Sequence, residues 1–251
     1  MRIGVYIGPG APSDASAAGE TLRRLVQELG GVVVPITPAE AAEHAAAPWP
    51  VDGVIVMGAF AADAVPAAPA GGQDSPLLPA IAAFARARGP VLGIGGGFQI
   101  LCAMGLLPGR VNLRVVAGAA PAPASHLRVE GRPTAFTSAI PAGRVMRLAA
   151  AAGMLSHPSP AGEAGRLAVS CYETEEAKAL EARGQVIFRY CDAAGAATPA
   201  ASAALAPAPR PHAIAGVCDA GGNVVGVLSD PGGDGPQLLR SLRMHLGAAR
   251  S

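Results

Sequence analysis

Short apolar runs separated by segments of helical period dominate the first hundred residues. Arg2–Ile7 (RIGVYI) is an apolar run of strand length, and from about Asp14 to Leu29 the apolar positions recur at helical spacing. Gly31–Ile36 (GVVVPI) is a second apolar run. Thr37-Pro38-Ala39-Glu40 has the form of a capping box with proline at the first helical position, which predicts a helix after it. Gly53–Met57 is a third strand, Asp74-Ser75-Pro76 opens a helix through Arg88, and Val91–Ile94 is a fourth strand. Apolar strands without polar alternation, interleaved with helices, predict a parallel sheet covered on both faces.

The pattern changes in the second half. Leu127–Glu130, Val186–Tyr190 and Ile214–Cys218 read as strands of more antiparallel character. Residues 219–223 (DAGGN) turn Ile214–Cys218 back into Val224–Leu228 as a hairpin, and a last helix runs from about Pro236 to Leu246. Two alanine- and proline-rich stretches, 117–125 and 193–211, are low in complexity and read as loops. No internal repeat or linker divides the chain, so 1–251 is expected to be a single α/β domain.

Composition narrows the function classes. With 51% hydrophobic and 15% charged residues the chain is not a disordered one. A net charge of +1 without a basic block offers no footprint for nucleic acid or an anionic membrane. No apolar run reaches the roughly 18 residues of a membrane span, and the N-terminus reads as a strand and turn rather than a signal peptide. A cytoplasmic location is the expectation. Cys102, Cys171, Cys191 and Cys218 are far apart with no CxxC spacing, so isolated reduced thiols are expected, with no metal and no cofactor.

The segment that carries chemistry is Val91 to Gly109, VLGIGGGFQILCAMGLLPG. It starts as a buried strand, turns sharply through glycines and continues as a helix. Phe98 stands where GxGxxG requires its last glycine, and no GK[ST] follows, so neither nucleotide-binding loop is present. The shape is that of a nucleophile elbow whose tip reads Gly95-Gly96-Gly97. The segment resembles the elbow of class I glutamine amidotransferases, in particular the glutaminase subunits of phosphoribosylformylglycinamidine synthase, where it reads GICNGFQIL followed by GLLPG. RIGVYIGPG, DGVIVMGAF, SHLRVEGRPTAFTS, GQVIFRY and AIAGVCDAGGNVVGVLSDP follow in the order of that family's blocks, from Arg2 to Pro231.

The resemblance implies a flavodoxin-like three-layer sandwich with a central, mostly parallel sheet. It also implies a role in purine biosynthesis beside a synthetase subunit and a small accessory subunit. In such enzymes a cysteine thiolate attacks the glutamine side-chain amide, a histidine oriented by a glutamate moves the protons, and backbone N–H groups stabilise the oxyanion. Carried over position by position, the nucleophile falls on Gly95 and the residue after it on Gly96. The family's PHPE falls on SDPG, placing the histidine at Asp230 and the glutamate at Gly232. The oxyanion loop corresponds to Gly58 and Ala59, and of the polar cluster after it only Asp63 remains. The family's VAHGEG has no counterpart in 149–160, AAAAGMLSHPSP.

Replacement residues are few. Cys102 falls in the apolar run ILCAM, about 10 Å down the helix from the elbow, as a buried structural thiol. Ser229 and Asp230 stand at a strand end near the elbow with no evident base, His157 falls in a loop, and His212 nearly abuts a strand. The expectation is a chain without glutaminase activity that acts as a structural or regulatory partner of the synthetase. Two alternatives stay open: a small-molecule binding protein using the emptied cleft, and an active enzyme with unfamiliar residues around Asp230.

Overall fold

In the computed structural model, which describes residues 1–7, 17–36, 49–58, 77–109, 112–117, 124–149, 157–158, 164–170, 174–196 and 213–248, the apolar runs of the first half form adjacent parallel strands. They are β1 (Arg2–Ile7), β2 (Val32–Pro35), β3 (Gly53–Gly58) and β4 (Val91–Gly95), with helices α1 (Ala17–Glu28) and α2 (Leu77–Arg86) between them. Helix α3 (Gly96–Ala103) follows β4 directly. β5 (Asn112–Ala117), β6 (Ala124–Val129), β7 (Val145–Ala149), β8 (His157–Pro158) and β9 (Ala164–Ser170) come next, then helix α4 (Thr174–Ala182). The chain continues through β10 (Val186–Cys191), β11 (Ile214–Cys218), β12 (Val224–Val227), β13 (Asp230–Gly233) and α5 (Pro236–Ala248).

Ten strands form one sheet in the order β13-β7-β6-β10-β11-β12-β4-β3-β1-β2. From β2 to β12 the pairings are parallel. From β12 to β13 they are antiparallel. The expected α/β class is therefore present, and the sheet is mixed: its parallel half is the half that carries the elbow. Burial explains the division. β4 and β12 are buried at every residue, as strands covered on both faces must be. Along β6, Ser125, Leu127 and Val129 are buried while His126 and Arg128 are half-buried, the alternation of a sheet with one open face. On that outer side Arg128 pairs with Glu130, and Arg189 reaches both Glu130 and Glu181 of α4.

The core runs the length of the sheet, with Phe98, Phe136, Phe188, Ile55 and Leu92 fully buried. Phe98 of α3 lies on Gly226 of β12, where a Cβ would run into its ring, so the helix seats directly on the strand beside its own. At the opposite end of the strands Asp219 holds the β11–β12 hairpin, accepting the N–H groups of Gly221 and Val224, both at 2.9 Å.

Two expectations change. His157, expected in a loop, has its backbone in β8, paired with β9 in a second sheet of order β5-β9-β8. That sheet was not legible because AGRLAVS lacks the β-branched density that marks a strand; strand pairing supplies what propensity does not. Both ends of the loop expected over 117–125 belong to strands, since β5 reaches Ala117 and β6 begins at Ala124, and 118–123 lie outside the described residues. The segments 37–48 and 197–212, with the capping box, most of the second low-complexity stretch and His212, lie outside the described residues.

Candidate functional site: the strand–helix elbow

No loop separates β4 from α3: the strand ends at Gly95 and the helix begins at Gly96. Turning through one residue requires Gly95 to adopt φ 58° and ψ −120°. That conformation is open to glycine and costs any other residue roughly 1–3 kcal/mol. It is also the strained turn that exposes a nucleophile at the head of a helix.

The surroundings are built around absent side chains. Gly58, at the end of β3, is the direct register partner of Gly95. A Cβ on Gly58 would lie 3.3 Å from the Gly96 carbonyl carbon, 3.4 Å from the Gly97 nitrogen and 3.1 Å from Ile100 Cδ1. A Cβ on Gly97 would collide with the backbone carbonyl of Val56, and one on Gly93 would stand 3.0 Å from the Gly97 carbonyl. Helix α3 is thereby pressed onto the ends of β3 and β4. Its first N–H groups have no intrahelical acceptor and no side-chain cap, so they open onto the elbow as donors.

The Asp230 segment reaches this place by a return of the sheet. Only Leu228 and Ser229 separate β12 from β13, and β12 is the parallel neighbour of β4. β13 begins beside the end of β4 and packs against both β4 and α1, while its ladder partner is β7, with Asp230 opposite Ala149. The backbone of Asp230–Gly233 and the elbow are thus on the same side of the molecule. Ala59 and Asp63 lie outside the described residues.

Ser229 is 2% exposed, and among the described residues no group hydrogen-bonds its hydroxyl. Cys102 is half-buried rather than buried, because it falls in the last turn of α3; its thiol donates toward the Pro108 carbonyl oxygen at 3.8 Å. It is not at the elbow tip. Burial raises the Cys191 thiol above its ordinary range, and the Cys218 thiol to about 11. Neither is a thiolate at neutral pH. Among the described residues no three His, Cys, Asp or Glu side chains gather into a metal site, and no helix is long and apolar enough to cross a membrane. The sequence reading gave Gly97 no role of its own. Its signal, a glycine inside a helix where any side chain is normally preferred, reads as close approach only once the partner strand is known.

The arrangement supplies hydrogen-bond donors and a shaped turn, with no side chain at the tip. Residues 49–233 match the profile of the CobB/CobQ-like glutamine amidotransferase domain. Over 257 aligned residues the chain is 32% identical to phosphoribosylformylglycinamidine synthase subunit PurQ of Symbiobacterium thermophilum, covering 98% of this chain and 97% of that one. It is 34% identical to the subunit of the same name from Moorella thermoacetica, over 96% of this chain and 95% of the relative. In fold it is similar to a chain of the PurLQS structure from Thermotoga maritima, with a TM-score of 0.59, 20% identity and 98% of each chain covered. Matches of this extent leave one assignment: the chain belongs to the CobB/CobQ-like glutamine amidotransferase family, and within it to the PurQ subunits.

Proposed function

We propose that this chain is a PurQ-type subunit that has lost glutaminase chemistry and serves a synthetase partner structurally or as a regulator, in purine biosynthesis in the cytoplasm. The observation that carries the reading is Gly95 at the elbow tip in the nucleophile's backbone conformation. Acyl transfer from glutamine needs a thiolate, a base to move protons and a group to orient that base. The positions corresponding to these three hold Gly95, Asp230 and Gly232, and a glycine supplies no functional group. Gly58 and Gly96, at two of the three positions that correspond to the oxyanion loop, still face each other across the elbow, without an attack for their backbone to stabilise. The turn persists because it is how β4 joins α3, and glycine relieves the strain a nucleophile would impose there.

The relatives are named as subunits of a synthase, and the similar solved chain comes from a PurLQS assembly. The partner we infer is accordingly the PurL-type synthetase, with the small accessory subunit. In the test, the chain is co-purified with the synthetase of its own organism and the complex is assayed with glutamine and with ammonium as nitrogen donor. The expected result is a stable complex that uses ammonium and releases no ammonia from glutamine. Glutamine hydrolysis by the complex, lost in Asp230→Asn, would overturn the reading in favour of an active enzyme with a different residue set.

A second reading rests on Ser229. Among the described residues its buried hydroxyl has no partner, and burying one so costs about 1–3 kcal/mol, which a bound polar molecule would offset. If the emptied cleft is a binding site, a small molecule is retained through purification and lost in Ser229→Ala. Mass analysis of the denatured protein distinguishes the two readings, since a docking subunit carries nothing.

A further inference from the structure

We draw no further inference here: the strongest candidate, the groove of about 370 Å³ between α1 and the edge strand β2, lined by Leu22, Arg23, Gln27, Val33 and Ile36, carries nothing because nothing in the structure shows what covers it.

Discussion

At the residue scale two neighbouring glycines are held for different reasons, and substitution separates them. Gly95 is fixed by its dihedral angles, φ 58° and ψ −120°, whereas Gly97 is fixed by the Val56 carbonyl against its α-carbon. Gly95→Cys is expected to fold with a loss of roughly 1–3 kcal/mol. It also places a sulfur at the start of α3, where the helix terminus favours thiolate and lowers the thiol pKa below its ordinary value. Alkylation against pH should show the new thiol reacting faster at neutral pH than Cys102, the half-buried native thiol. Equal rates would mean the turn lacks elbow geometry. Glutamine turnover should not return, since Asp230 offers no imidazole. Gly97→Ala creates no reactive group and is expected to cost about 3 kcal/mol or more, because a methyl group meets backbone that cannot rotate away. A denaturant midpoint for Gly97→Ala close to the parent's would contradict the packing of α3 on β3. The elbow was legible in the sequence because strand, glycines and helix are contiguous. What the glycines touch was not, because Gly58 and Val56 come from another strand some forty residues earlier.

Elements of the parallel half were legible because each is a continuous apolar run bounded by turn residues, and β3 and β4 differ from their expected limits only by Gly58 and Gly95. Elements made of alanine and small residues were not. Neither β9 (AGRLAVS) nor β13 (DPGG) has strand propensity; each is a strand through the neighbour it pairs with. The β11–β12 hairpin was legible from its DAGGN turn, and its environment makes a pH prediction. Cys218 ends β11 fully buried, and desolvation raises its thiol from 9.0 to about 11. Well below pH 9 the thiol is protonated whether the chain is folded or unfolded, so its contribution to stability is fully present. Between pH 9 and 11 the unfolded chain releases the proton and the folded chain keeps it, so stability falls with rising pH. The total loss is about 2–3 kcal/mol once pH exceeds the folded value. Cys191 and Tyr6 are also raised by burial, so the measurement is the difference between the parent chain and Cys218→Ala across pH 8 to 11. The two should converge as pH rises. A constant difference would show that Cys218 titrates normally when folded.

For the whole molecule the question is whether the parallel and antiparallel halves are one cooperative unit. The matched family span, 49–233, begins just before β3, yet β1 pairs with β3 from Ile3 opposite Gly53 to Ile7 opposite Met57, and β2 lies outside it. Cutting at the family boundary would strip one side of β3 of its hydrogen bonds. On the other side, β11 is bonded to β12 and β13 folds back to pack on β4 and α1 while still paired with β7. The antiparallel half is therefore tied to the parallel half at two places, through the continuous ladder and through the return of β13. One domain over 1–251 is the reading we infer from this double attachment, and unfolding tests it with probes that the structure places far apart in the sheet order. Trp49, the chain's single tryptophan, is buried and stacks on Phe84 of α2 at 6.2 Å, so its fluorescence reports the parallel half. Cys191 is 3% exposed in β10 of the antiparallel half, and its accessibility to alkylation reports that half. Denaturant titrations followed by the two probes should share one midpoint, as an all-or-none transition requires. Labelling of Cys191 at denaturant concentrations that leave Trp49 fluorescence native would show instead that the antiparallel half opens alone, with β13 leaving the elbow as it does so.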